Sequence, residues 1–306
     1  MTPRLVVVLA GFLLAGCAAA PASDSASQAA GSAPPCPVAP VKVVVSVAPW
    51  SDVVTTLGGA CAEVATVVTG GSADPHDYEP TVRDIAGFAG ARLVVVNGAG
   101  YDAWAAKAVE GAGGKPEVVD AADVVGAEAG ENPHLWYDPV YVSRVATAVT
   151  AAYGRLLPGA DGYLADRAQD WTRATAPYRA LVASTRGVAR GATYLATEPV
   201  AAYLADALGM REVTPEGLRR ATANESEPTP GDVNDALALL RERAVDVLVV
   251  NPQTEGSLAT RLRAAATDAG VPVVTASETP SSPDAGFVAW QTAQLTALRD
   301  ALADGR

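Results

Sequence analysis

The chain is poor in several residue types that most often carry chemistry. Of 306 residues, 2 are histidine, which excludes a histidine-rich metal sponge or an all-histidine cage. Its 3 cysteines cannot build a four-thiolate zinc site or an iron–sulfur cluster within one chain. Lysine is confined to Lys42, Lys107 and Lys115, and 22 basic residues face 34 acidic ones, a formal charge of −12. The basic footprint that displaces phosphate counterions is missing, so nucleic acid is excluded as a partner. There is no Gly-x-x-x-x-Gly-Lys-Ser/Thr, and hence no ATP hydrolysis by this chain. Neither His-Glu-x-x-His nor Gly-x-Ser-x-Gly occurs. Beyond residue 17 no apolar run is long enough to cross a bilayer. What is present is 49% hydrophobic against 18% charged, too apolar for disorder and long enough for two domains.

The N-terminus reads as an address. Arg4 precedes the apolar run Leu5–Leu14, about half the ~20 residues of a spanning helix, which suits a secretory core. The run ends in Leu14-Ala15-Gly16-Cys17, which resembles the bacterial lipobox. That resemblance implies a signal peptide over 1–16, cleavage before Cys17 and a lipid on its thiol. The protein is then extracytoplasmic and anchored to the cell membrane. An ordinary small-residue cleavage site with an incidental cysteine is the alternative. Residues 17–40 hold little to bury and are expected to form a flexible tether. Cys36 and Cys61 remain; outside the cytosol they are expected to be oxidised to a disulfide, a shared metal site being the rival reading.

From residue 41 short β-branched runs alternate with helical stretches. Strands are expected at Lys42–Val47, Glu63–Val68 and Leu93–Asn97, then at Thr193–Thr197, Val245–Val250 and Pro272–Thr275. Helices fall between them, near Ser51–Leu57, Val82–Phe88 and Asp102–Glu110, and near Val200–Leu208, Val233–Arg243 and Ser257–Ala269. The stretch Asp138–Arg186 has no strand signal: Asp138-Pro139 opens a helix, Leu157-Pro158-Gly159 stops it, and a second begins near Asp161. Thr81 with Asp84 and Thr229-Pro230 mark further helix starts, and a last helix covers about Gly286–Ala303. The expected fold is α/β: two lobes, each a parallel sheet flanked by helices, joined by a long connecting helix. The lobes are placed at 41–150 and 189–306, with the connector at 151–188.

Both histidines occupy the same kind of place. His76 lies in Asp74-Pro75-His76-Asp77-Tyr78-Glu79-Pro80-Thr81 and His134 in Asn132-Pro133-His134-Leu135-Trp136-Tyr137-Asp138-Pro139. Each follows a proline in a loop at a strand-to-helix edge, where α/β sheets collect ligands, and the proline restricts the backbone beside it. Singly, either would read as an ordinary loop histidine; together they point to metal.

These two motifs, with the lipobox and the two-lobe pattern, resemble the metal-specific solute-binding lipoproteins of ABC transporters. The resemblance runs from the lipobox to the C-terminus. It implies a non-enzymatic, monomeric carrier that delivers metal to a permease driven by a separate ATPase. It also implies four ligands: His76, His134, Glu198 after the first strand of the second lobe, and a residue past a late strand. Glu278 is the candidate there, a glutamate where aspartate is usual, with Glu255 as its competitor. Read alone, Glu198 could merely stabilise the helix start beyond Pro199, Glu278 could be a solvated loop acid, and Asp138 reads as a cap. Trp136 and Tyr78 read as packing. Two imidazoles and two carboxylates suit zinc if each acid binds through one oxygen, manganese(II) or iron(II) if either chelates. The oxygen donor at 198, where zinc members usually have a histidine, tilts the expectation slightly to manganese over zinc, with iron(II) possible. Rival functions are an extracytoplasmic metallohydrolase and a surface adhesin.

Overall fold

The computed structural model describes residues 34–70, 78–111, 113–224, 226–254, 256–282 and 285–304. Cys17, His76 and Glu255 lie outside the described residues. In the first lobe the chain runs β1 (Val41–Val47), α1 (Ala48–Gly58), β2 (Ala62–Val68), α2 (Val82–Gly87), β3 (Leu93–Val96), α3 (Ala103–Gly111), β4 (Glu117–Asp120) and α4 (Ala121–Val125). Two helices follow, α5 (Pro139–Leu156) and α6 (Asp161–Ala189). The second lobe holds β5 (Thr193–Ala196), α7 (Ala202–Leu208), β6 (Arg211–Glu212), α8 (Glu216–Ala223), α9 (Pro230–Arg241), β7 (Val247–Val250), α10 (Ser257–Ala269), β8 (Val273–Thr275) and α11 (Phe287–Asp304).

All described strand pairs are parallel, in the order β2-β1-β3-β4 and β6-β5-β7-β8. The centres are β1 with β3 and β5 with β7, of which β1, β3 and β7 are valine-rich. They are buried on both faces, as a parallel sheet under helices requires. Register places Val43 opposite Val64 and Leu93, and Leu248 opposite Leu195 and Val273. In each sheet the chain starts at an inner strand, goes to one edge and then returns to the other side. Each sheet therefore has a switch point at its carboxyl end, between β1 and β3 and between β5 and β7, where ligand sites form.

The expected fold is the one observed, and the differences are local. Strands β4 and β6 had no readable signal, being four residues with two partly exposed and two residues with no apolar pattern. The connecting helix starts at Asp161, not at 151: residues 151–156 end α5, and the break falls at Leu157-Pro158-Gly159. It then runs through Pro177 to Ala189, one residue past the expected end of the connector, with Trp171, Tyr178 and Val182 buried. Thr81 and Asp84 form a full capping box, Asp138 Oδ1 accepts the N–H groups of Val140 and Tyr141, and Thr229 accepts from Asp232.

One apolar core passes from Val45 and Trp50 through Tyr153, Trp171 and Tyr178 to Val249 and Leu298, so the lobes share it. Asp52 of α1 also accepts the N–H of Phe287 (2.8 Å) at the head of α11, a first-lobe acid capping a second-lobe helix. Just ahead of the first lobe Cys36 and Cys61 form a disulfide, with Cα atoms 4.9 Å apart and a sequence separation of 25. Cys61 is fully buried and β2 follows it directly, so the bond ties the segment leading into β1 to the start of β2. Replacing Cys36 with serine is expected to cost about 3 kcal/mol of unfolding free energy by loop entropy. Urea denaturation against wild type measures it, and an unchanged midpoint would assign the bond no structural weight.

Candidate metal centre

The centre lies where the two switch points face each other, and each side chain is held by the loop that leaves a strand. His134 is 3% exposed. Asn132 Oδ1 accepts the His134 backbone N–H (3.0 Å) and lies 2.7 Å from His134 Nδ1, while Asn132 Nδ2 donates to the Pro199 carbonyl (2.8 Å). The backbone and Pro199 bonds together orient the carboxamide with its oxygen toward the imidazole, so Nδ1 carries the hydrogen. A neutral His134 therefore presents the Nε2 lone pair, the tautomer a metal ligand needs. Trp136, fully buried, stands edge-on to the ring at 5.4 Å, and Tyr101 does so at 6.1 Å.

The loop carrying His134 rests on Asn97, buried just past β3. Its Nδ2 donates to the Pro133 carbonyl (2.9 Å), and its Oδ1 accepts from Trp50 Nε1 (2.9 Å). Asp102 closes this turn by accepting from Ser46 Oγ and from the N–H groups of Asn97 (2.7 Å) and Gly98 (2.9 Å). Burial pushes the Asp102 carboxyl up, and those three donors oppose the shift. Gly98 has a φ of 75°, and a Cβ there would collide with the Asp120 carboxylate, so only glycine fits.

From the second lobe come two carboxylates. Glu198 sits at the cap position of the short turn Pro199–Ala201 but makes no side-chain capping bond. Its Oε1 accepts from Thr254 and its Oε2 from Asn251 Nδ2 (2.8 Å), so helix stabilisation is not its job. Glu278 is fully buried, which corrects the reading of it as a solvated loop acid. Its Oε1 accepts from the same Asn251 Nδ2 (2.8 Å) and its Oε2 from Tyr101 OH (2.8 Å). Gln253 Oε1 accepts the backbone N–H groups of Glu278 (2.7 Å) and Thr279 (3.1 Å), which sets the loop height. Tyr137, whose phenol is raised well above its ordinary value by burial, reaches the Ser277 carbonyl at 2.8 Å and pins the loop from the other lobe.

His134 Nε2 and Glu278 Oε2 lie 3.4 Å apart. Two donors on one tetrahedral cation with bonds of about 2.0–2.1 Å stand roughly 3.3–3.4 Å apart, against roughly 2.9 Å for a right-angled pair. Glu198 joins them through Asn251. Among the described residues no group of three or more His, Cys, Asp or Glu is placed to hold a metal ion. The structure brings Glu278 up to His134 at the seam and links Glu198 to Glu278 only through the shared Asn251 amide. It sends Tyr78 elsewhere, onto Asp84 (2.7 Å) and the Trp104 ring (5.4 Å). Sequence reasoning missed Asn97, Tyr101, Asn251, Gln253 and Thr254. Only Asn251 had a signal: Asn251-Pro252 repeats the Asn132-Pro133 step. A cleft of about 860 Å³ opens onto His134 and Glu198, lined also by Asn132, Tyr203 and Thr254.

Two parallel α/β lobes on a long helix, with nitrogen and carboxylate donors facing across the seam, define a two-lobed solute-binding protein. The chain belongs to the family described as zinc-uptake complex component A, periplasmic, whose profile matches residues 43–301. It is 24% identical over 277 residues to the manganese-binding lipoprotein MntA of Halalkalibacterium halodurans, covering 88% of this chain and 85% of that one. It is 25% identical over 232 residues to the iron-binding protein YfeA of Yersinia pestis, covering 68% of each. Its fold is similar to that of the periplasmic zinc-binding protein TroA of Treponema pallidum, at a TM-score of 0.71 and 19% identity over 86% of this chain and 99% of that one.

Asn132→Ala removes the acceptor that sets the His134 tautomer. It is expected to weaken divalent-metal binding by about 10–100-fold, read by competition with a chelating dye; unchanged affinity would deny Asn132 that role.

Proposed function

We propose that this chain captures a divalent transition-metal ion outside the cytoplasm and hands it to an ABC-transporter permease energised by a separate ATPase. The class is that of a metal-binding solute-binding protein, not an enzyme, in keeping with its family. The observation that carries the proposal is the meeting of Glu278 Oε2 with His134 Nε2 across the seam, with Glu198 drawn in by the shared Asn251 amide. The cargo is held by His134 from the first lobe and by Glu198 and Glu278 from the second, and His76 supplies the remaining nitrogen. Two carboxylates and two neutral imidazoles balance a doubly charged cation and match the donors that bind zinc, manganese and iron. The relatives named for manganese and iron support that cargo class.

Ligands from both lobes make the cation a bridge, and its ligation energy favours the closed form. Cys17 carries the lipid that keeps the carrier at the membrane. Among the described residues no helix is long and apolar enough to cross a bilayer.

His134→Ala, Glu278→Gln and His76→Ala are each expected to lower affinity for zinc and manganese by more than about a hundredfold, with thermal melting showing an intact fold. Wild-type affinity in all three, by dye competition, defeats the proposal. Protons compete for the same imidazole nitrogens, so affinity should fall as pH drops through the ordinary histidine range near about 6.5. Titrations at pH 7.5 and 5.5 check this, and pH-independent binding would count against histidine ligation.

A further inference from the structure

The turn between β3 and α3 reaches the centre from two sides. Asn97, at its start, donates from Nδ2 to the Pro133 carbonyl (2.9 Å), directly ahead of His134. Tyr101, near its end, lays its ring edge-on to His134 at 6.1 Å and to Trp136 at 5.3 Å. The same tyrosine donates its hydroxyl to Glu278 Oε2 of the second lobe (2.8 Å). Between them the backbone is left-handed at three successive residues, Gly98 (φ 75°), Ala99 (φ 53°) and Gly100 (φ 92°). The glycines adopt that region freely, but Ala99 is held there against its preference, with its side chain packed on the main apolar core. Such a turn persists only where its surroundings over-determine it. The fastener is Asp102, 3% exposed. Its Oδ2 accepts from the Asn97 N–H (2.7 Å) and the Ser46 hydroxyl, and its Oδ1 from the Gly98 N–H (2.9 Å). The Tyr101 N–H donates to the Gly98 carbonyl (3.0 Å). Ser46 lies in β1, so the carboxylate ties the turn to the central strand as well as across itself.

We propose that Asp102 is a positioning residue of the metal centre: by fixing turn 97–102 it sets His134 of one lobe and Glu278 of the other relative to each other. This role rests on the metal-capture reading above. Asp102 acts through Asn97, which holds the loop of His134, and through Tyr101, which holds the Glu278 carboxylate. The N–H groups of Asn97 and Gly98 and the Ser46 hydroxyl need an acceptor with two oxygens. A carboxylate accepts at both, a carboxamide at one only. With an amide in its place, an N–H would face an N–H and a buried donor would go unpaired. The turn would then relax toward the backbone region that Ala99 prefers. Asn97 and Tyr101 would shift independently, and the acid aimed by Tyr101 would no longer be aligned with the imidazole.

The test measures zinc and manganese affinity, by competition with a chelating dye, in wild type, Asp102→Asn, Tyr101→Phe and the double variant. Thermal melting of each metal-free protein is recorded alongside. Asp102→Asn keeps the size of the side chain and should lower affinity about tenfold or more. Tyr101→Phe removes the hydroxyl that reaches Glu278 and should cost about tenfold by itself. Once Asp102 is replaced it should cost less than about threefold, because the hydroxyl is no longer held in place. The visible spectrum of the cobalt(II)-loaded protein should shift in Asp102→Asn, a change that an acid serving the fold alone would not produce. Ser46→Ala releases Asp102 from β1 and spares both backbone bonds. It should lower affinity about threefold, and it serves if Asp102→Asn does not melt as a folded protein. A folded Asp102→Asn with the wild-type affinity or cobalt spectrum, or costs that simply add in the double variant, overturns the proposal while metal capture stands. Wild-type affinity in Ser46→Ala, where Asp102→Asn is unfolded, does the same. Failure of wild type to bind zinc, manganese or cobalt overturns metal capture itself, and this role with it.

Discussion

Two carboxylates brought close together repel each other, and three neutral side chains donate to Glu198 and Glu278. They are the Asn251 amide and the Thr254 and Tyr101 hydroxyls. Such donors make the buried Glu278 and the half-buried Glu198 tolerable without cancelling their charge. A lysine or arginine in the place of Asn251 would have cancelled half of the pair's negative charge. The amide does the opposite: it fixes the spacing and leaves the negative charge to be used. The supporting parts of the centre serve that arrangement, from Gln253 beneath the Glu278 backbone to the Asn97 and Asn132 amides beneath His134.

The frame around the acids leaves little room for large motion. Hydrogen bonds cross the seam from Asn132 to Pro199, from Tyr203 to the Asn132 carbonyl (2.9 Å), from Tyr137 to Ser277 and from Asp52 to Phe287. Beneath them the apolar core is continuous through α6. Opening the lobes widely would expose part of that core, at roughly 25 cal/mol for every Å² of apolar surface uncovered. A cation can shift an equilibrium only by its differential affinity for the two states. A stiff hinge with few accessible states therefore suits a carrier whose cargo is a single ion.

Much of this was legible in the sequence because the signals are local. The runs Val43–Val45 and Val247–Val250 must be buried wherever they go, and the helix starts at Thr81, Asp138 and Thr229 are written within four residues. The proline-flanked histidine His134 is legible for the same reason. What was not legible depends on long-range contact: Tyr101 and Glu278 are 177 positions apart, and nothing near Tyr101 announces that its hydroxyl meets an acid. Asn251 is similar, since an asparagine before proline reads as a turn residue until both acids are seen on its amide. Strand β6 was missed because two residues carry no periodicity, and its place is given only by pairing with Thr193 and Tyr194.

A glutamate at 278 suits the same geometry. Its backbone is fastened two ways, by Gln253 from its own lobe and through the Ser277 carbonyl by Tyr137 of the other. A fastened backbone cannot move toward the seam, so the side chain must supply the reach, and glutamate is longer by one methylene. The longer chain would ordinarily cost rotamer freedom on ordering. Here both oxygens are already held, Oε1 by Asn251 and Oε2 by Tyr101, so much of that ordering is complete before any ion arrives. Tyr101 lies on the first lobe, so the Glu278 carboxylate of the second lobe is aimed by the lobe that carries His134. The cost of arranging the two side chains at the seam has been met in folding.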